Sequence, residues 1–247
     1  MREMLRQAEL TLIDFNRTIQ DTPGFVEGLK DFVTNNYGPD LAGAMKSVQN
    51  DKEAQGHSFD ILDFIKKNVG EEEVVVFKEG FKTYCKNNNM RFLNPDTFEV
   101  FKKMDDAGKT YGILTTGSEE SQTFQLEVSG VSDVPHHIVP RSDKGRMIAE
   151  EWLQDDGSFT VPPKFATDLG KRTFKSLLLA DDKASAFADL PEGVWRDGVP
   201  LGAWGNHYID MRYGVLPSQA GFLPENAVPI SSLLEMGIPA EEVKETV

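Results

Sequence analysis

The chain has 247 residues, with 40 acidic side chains against 26 basic ones and a formal net charge of −14, and its pI lies near 4.7. So much negative charge, with no local basic patch, excludes general nucleic-acid binding. The 16 Phe, 5 Tyr and 3 Trp exclude a disordered chain, and no apolar run reaches the ~20 residues that a bilayer span needs.

Met1–Leu10 lacks the apolar centre of a signal peptide, and the single Cys85 precludes an intramolecular disulfide. Both features fit a reducing compartment, so the expectation is a soluble cytoplasmic protein with no membrane partner. At roughly 150 residues per domain, the length allows one large domain or two unequal ones.

The first element is the apolar run Leu10-Thr11-Leu12-Ile13, a β-capable segment that stops at Asp14. From Pro23 to about Met90 the apolar residues recur at three- and four-residue spacing, as in Phe25, Leu29, Phe32-Val33 and Phe59, Leu62, Ile65. That spacing predicts a small helical subdomain. Val74–Phe77 is strand-like in composition, but its charged flanks and the following Phe81 and Tyr84 favour a helix.

Asn94 as N-cap and Pro95 at the first helical position predict a helix with Phe98, Phe101 and Met104 on one face, ending at Ala107-Gly108-Lys109. Tyr111–Leu114 is a second strand, broken by Thr115-Thr116-Gly117-Ser118. A helix over Glu119–Val128, a third strand over His136–Val139 and a fourth over Ser176–Ala180 follow, the last running into Asp181-Asp182. Val199–Trp204 offers a further strand and Ile230–Met236 a short closing helix. Strands alternating with helices predict an α/β domain with a parallel sheet.

Two strands therefore end in carboxylates, Asp14 and Asp181-Asp182, and one ends in hydroxyls. If these strands lie parallel and adjacent, the groups converge at one rim of the sheet, where open α/β sheets bind ligands. Clustered hard oxygen ligands suit Mg²⁺. The hydroxyls and the turn amides around Gly117 suit a phosphate, and a carboxylate beside a bound cation can act as a nucleophile.

The order of these motifs resembles that of the haloacid dehalogenase-like (HAD) hydrolase superfamily. The family's first motif, a strand followed by Asp-x-Asp-x-Thr, is approached by LIDFNRTI with Asp14, Asn16 and Thr18. Its second, a strand ending in Thr or Ser, is matched by GILTTGS at Thr115, and its fourth by LLLADDK at Asp181-Asp182. The lone lysine of the third motif is met by Lys144, or failing that by Lys164.

The resemblance spans about Leu10 to Pro191 and implies a three-layer Rossmann-like core, residues 1–19 and 93–247. The long gap between Asp14 and Thr115 resembles the family's inserted helical cap domain of the first type, residues 20–92. By the same resemblance Asp14 is the nucleophile, and Asp14, the Asn16 carbonyl and Asp182 hold Mg²⁺, with Asp181 reaching it through water. Thr115 and Lys144 contact the phosphoryl group, and Thr18, Thr116 and Gly117 join the substrate site. The implied activity is a phosphatase acting on a small phosphorylated metabolite through an aspartyl phosphate.

One position departs from the pattern. The family's phosphatases carry Asp where this chain has Asn16, and an amide cannot shuttle protons. Loss of a positioned acid/base typically costs ~10²–10⁴ in rate. Three readings stay open: a phosphatase for leaving groups that need no proton, such as acyl or aryl phosphates; an acid supplied by another group, such as a cap residue; or a metal- and phosphate-binding protein without turnover.

Other features have plainer accounts. Thr116 and Ser118 suit a turn, His136-His137 a strand edge with no third metal ligand at a recognisable spacing, and Cys85 an idle helical thiol.

Overall fold

The computed structural model describes residues 8–54, 59–140 and 144–182, together with Ala186, Leu190, Ala203–Trp204, Val228–Pro229 and Leu233–Glu235. Strand β1 (Leu10–Ile13) is followed by four helices, α1 (Thr22–Tyr37), α2 (Pro39–Ala54), α3 (Ile61–Asn68) and α4 (Glu73–Asn87). Helix α5 (Thr97–Asp106) then leads to β2 (Thr110–Thr116), α6 (Glu119–Ser129) and β3 (His136–Val139).

A short helix α7 (Lys144–Met147) continues as a π-helical turn, Ile148–Trp152. It is followed by β4 (Phe159–Thr160), α8 (Pro163–Leu169), β5 (Thr173–Phe174) and β6 (Leu177–Asp181). The last described elements are β7 (Ala203–Trp204), β8 (Val228–Pro229) and a 3₁₀ turn, Leu233–Glu235.

The main sheet is parallel throughout, in the order β3-β2-β1-β6-β7-β8, and β4 pairs with β5 in a small antiparallel ribbon. Period-two alternation divides the core strands between two layers. Leu10, Leu12, Leu114, Leu177 and Leu179 face one apolar cluster with Trp152 and Phe165. Ile13, Ile113, Leu178 and Ala180 face the other, with Val100, Phe101 and Leu126. The expected α/β core with a parallel sheet is thus present, helices covering both faces.

Order along the sheet reverses at β1. The chain proceeds from β1 outward through β2 and β3, then returns to β6 on the far side of β1. Such a switch point opens a crevice at the carboxyl ends of the strands, and Asp14, Thr115 and Asp181-Asp182 all lie there.

The stretch from α1 to α4 forms its own apolar cluster, rich in Phe25, Phe32, Phe77, Phe81 and Phe92. Phe81 stacks on Phe77 and Phe92 and meets Phe25 edge-on. Val74–Phe77 is helical as expected: Val74 and Phe77 are buried, while Val75 and Val76 face solvent. Phe124 of α6 inserts into this cluster from the core side.

Several sequence expectations are corrected. The fifth helix begins at Thr97, and its buried face is Thr97, Val100, Phe101 and Met104, leaving Phe98 50% exposed. Asp96, not Asn94, holds its N-cap position. The Asn94 side chain is buried and donates to the carbonyls of Thr18 (2.8 Å) and Arg17 (3.4 Å), so it braces the loop after β1. Of Val199–Trp204 only Ala203–Trp204 is described, as β7; of Ile230–Met236 only Leu233–Glu235, a 3₁₀ turn, lies among the described residues. No described helix is long and apolar enough to cross a membrane.

Candidate active site

Asp14 follows the last residue of β1, and its backbone N–H donates to the Ala180 carbonyl at 2.7 Å, which fixes β1 against β6 at the rim. Asp181 ends β6 and Asp182 follows it. All three carboxylates are buried, at 5%, 1% and 1% exposure. One oxygen from each lies within 4.8 Å of the others.

Lys144, at the start of α7, reaches into this cluster. Its ammonium donates to Asp14 Oδ1 and, at 2.7 Å, to Asp181 Oδ2. Burial opposes its charge, but Asp14 and Asp181 outweigh that and hold its pKa above the ordinary lysine range. The next residue must be small. A Cβ on Gly145 would stand 2.6 Å from the Ala186 carbonyl. Lys164 lies elsewhere, an exposed α8 side chain 3.6 Å from Glu119. Of the two candidate lysines, the structure brings only Lys144 to the carboxylates.

The buried group carries three carboxylates and one ammonium, a net charge of about −2 if all are ionised. An all-oxygen donor set with that imbalance fits a hard divalent cation such as Mg²⁺. Asp14, Asp181 and Asp182 each bring one oxygen to the cluster and are the side chains that could hold it.

The second motif lies one strand over. Thr115, near the end of β2, is 1% exposed, and its Oγ1 lies 3.0 Å from Gln122 Oε1 and 3.4 Å from Asn16 Oδ1. Asn16 Nδ2 donates to Gln125 Oε1 at 3.2 Å. Thr116 pairs with Val139 in the sheet, and the Gly117 N–H donates to the Val139 carbonyl at 3.0 Å. Gly117 has φ +144°, and a Cβ there would stand 2.9 Å from Gln122 Nε2. Thr18 is buried, with no hydrogen-bond partner for Oγ1 among the described residues.

Ser118 caps α6, accepting from the Ser121 N–H at 3.3 Å. Ser118 and Ser121 both donate their hydroxyl protons to Asp60, which is itself the N-cap of α3. Burial pushes the Asp60 carboxyl up, but the Asp63 N–H and the two serines more than offset it, so its pKa falls below the usual range. One carboxylate thus ties the helical stretch to the turn beside Thr115. His137 is half-buried, packed against Trp152 and Phe165, and desolvation lowers its pKa. It has no place in the site.

The sequence matches no family model and no curated protein. The structure is similar to that of a haloacid dehalogenase-like hydrolase from Burkholderia xenovorans LB400, with a TM-score of 0.59 at 13% identity, covering 92% of this chain and 96% of that one. The chain has the HAD-like hydrolase fold. Weaker likenesses are to the HAD-hydrolase YfnB from Bacillus subtilis, bound to magnesium (TM-score 0.48, 15% identity, 93% and 97% covered), and to L-2-haloacid dehalogenase from Xanthobacter autotrophicus (0.43, 12%, 93% and 97%). At these identities the HAD-like fold is what is shared, and the reaction has to be argued from the site.

Asp60, Gln122 and Gln125 were not singled out in the sequence. Gln122 and Gln125 stand in Glu119-Glu120-Ser121-Gln122-Thr123-Phe124-Gln125, which has the composition of a solvated helix. Their three-residue spacing was the one available signal that both share a face.

Proposed function

We propose that the protein is a Mg²⁺-dependent phosphohydrolase acting on a small phosphorylated molecule through an aspartyl phosphate on Asp14, with residues 20–92 serving as a cap over the site. The observation that carries this reading is the buried convergence of Asp14, Asp181, Asp182 and Lys144 at the sheet's switch point.

Phosphoryl transfer asks a protein chiefly for placement and charge neutralisation. Asp14 has the right position for the nucleophile, at the end of a central strand. Lys144 is held charged and can offset the negative charge shared by the nucleophile and a phosphoryl group. Thr115 supplies a hydroxyl on the opposite side. A bound Mg²⁺ would supply further charge neutralisation between the carboxylates and phosphoryl oxygens.

The rival reading is a metal- and phosphate-binding protein without turnover, and Asn16 is the observation that favours it. Aryl and acyl phosphates assayed with Mg²⁺ separate the two. Turnover by the unaltered chain that vanishes in Asp14→Asn supports the enzyme. An inert chain that gains strong activity in Asn16→Asp supports the binding protein, and activity unchanged by Asp14→Asn refutes the nucleophile.

A further inference from the structure

Helix α6 buries a polar face beside the site. Ser121, Gln122, Gln125 and Ser129 share it and are all 5% exposed or less. Apolar side chains at these positions would pack without desolvating any amide, and a buried amide lacking a partner costs about 1–3 kcal/mol. The glutamines meet that demand through the loop after β1 and the end of strand β2, which carry the site. Gln125 Oε1 accepts from Asn16 Nδ2 at 3.2 Å, and Gln122 Oε1 lies 3.0 Å from Thr115 Oγ1. Thr115 Oγ1 also stands 3.4 Å from Asn16 Oδ1, a longer alternative acceptor for its single hydroxyl proton.

Asn16, Thr115, Gln122 and Gln125 are all neutral and stay so across the physiological range. The bond from Nδ2 to Gln125 Oε1 sets the orientation of the Asn16 amide and leaves Oδ1 on the Thr115 side. The frame can hydrogen-bond a departing oxygen but has no proton to give up. The nearby carboxylates Asp14 and Asp181 are engaged with Lys144.

We propose that Gln122 and Gln125 are positioning residues that lock Thr115 and Asn16 into a frame without an ionisable group, and that this frame restricts the site to phosphoryl donors whose leaving group departs unprotonated, namely acyl and aryl phosphates. This rests on the phosphohydrolase reading. Asp14 attacks phosphorus as the bond to the leaving oxygen breaks, and the electron pair departs with that oxygen. A carboxylate or a 4-nitrophenolate is stable in this form near neutral pH, and a plain phenolate, with a conjugate-acid pKa of about 10, departs far more readily than an alkoxide. Water then attacks the phosphorus of the aspartyl phosphate, regenerating the Asp14 carboxylate and releasing inorganic phosphate, with the surplus proton passing to solvent.

The test compares acetyl phosphate, 4-nitrophenyl phosphate, phenyl phosphate and glycerol phosphate with Mg²⁺. The unaltered chain is expected to turn over the first two at least ~10² faster than glycerol phosphate, and Asn16→Asp to narrow that gap, the scale being that of a positioned acid. Gln125→Leu frees the Asn16 amide and should lower kcat about tenfold with KM within about twofold. Gln125→Glu keeps an acceptor for Asn16 Nδ2 and should retain the rate.

A readout independent of turnover is the side-chain amide resonance of Asn16, assigned by its loss in Asn16→Asp. It should be protected from solvent exchange in the unaltered chain and in Gln125→Glu, and unprotected in Gln125→Leu. Equal rates on aryl and glycerol phosphates overturn the inference while Asp14-dependent turnover leaves the phosphohydrolase reading standing. So does a folded Gln125→Leu with unchanged kcat and an unchanged Asn16 resonance. No Asp14-dependent turnover of any ester overturns both.

Discussion

Replacing Asp182 with Asn should stabilise the metal-free protein. Asp182 faces two carboxylates, Asp14 and Asp181, within a cluster whose oxygens lie within 4.8 Å of one another. At an effective dielectric of about 20, each like-charge pair at that separation costs about 3.5 kcal/mol. Among the described residues the ammonium at the cluster is Lys144, and it offsets at most one of the two pairs. One pair remains, and the amide keeps the shape of the carboxylate while losing about 1.5 kcal/mol of charge-assisted hydrogen bonding. The balance is about 2 kcal/mol in favour of the variant, or about 4–8 °C in melting temperature for a chain of this size.

The measurement is a thermal melt of both proteins in EDTA and in millimolar Mg²⁺. The unaltered chain should gain stability from Mg²⁺, because a ligand bound only by the folded state stabilises it. Asp182→Asn should melt higher in EDTA and lose most of that gain. A variant that melts below the unaltered chain in EDTA, and still responds to Mg²⁺ as strongly, would show that the three carboxylates do not repel one another around a shared ion site.

Gly117→Ala should destabilise the fold by about 1–3 kcal/mol, since φ +144° is strained for any side chain and the new Cβ meets Gln122 Nε2 at 2.9 Å; chemical denaturation reads it. Asp60→Ala removes the cap of α3 and the acceptor of two serine hydroxyls, with an expected loss of about 1–2 kcal/mol. Because the Asp60 pKa is lowered on folding, its contribution is present above the unfolded carboxylate range and fades as pH falls through the folded value, so melts of the two proteins should converge in acid. Burial pushes the Cys85 thiol up to about 12, so the folded protein should resist iodoacetamide at pH 8 and react only on unfolding.

Much of the core was legible because β1 and β6 obey simple rules. Leu10–Ile13 and Leu177–Ala180 are short apolar runs, buried on both faces as central parallel strands are, and each stops at a carboxylate. The reason for their polar ends is visible only when the strands lie side by side. Val74–Phe77 was legible as helix for a different reason. A strand of that composition would need two covered faces, whereas the charged flanks allow only the Val74 and Phe77 side to be buried.

Asn94 shows where local rules give way. Its type and its place before Pro95 suit an N-cap, but Asp96 holds the cap position, and the Asn94 Nδ2 donates to the carbonyls of Arg17 and Thr18, far away in sequence. The helix then starts at Thr97, and Phe98 turns outward. Long-range contacts overrode a short-range preference, and nothing within the segment signalled them.

The same limit hid the glutamines of α6, and it bears on how the site is built. Read alone, Glu119–Gln125 is a hydrophilic helix start. In the fold that helix packs on the sheet through Leu126, enters the α1–α4 cluster through Phe124 and turns Gln122 and Gln125 toward Thr115 and Asn16. Its polar residues are buried because the loop after β1 and the end of β2 present hydrogen-bonding groups to them. A substitution on any of its three faces should therefore be felt at the other two: Phe124→Ala, which leaves a cavity in the helical cluster worth about 3–5 kcal/mol, should also loosen the Asn16 amide. An Asn16 resonance that keeps its protection in a folded Phe124→Ala would show instead that the frame is held by the core alone.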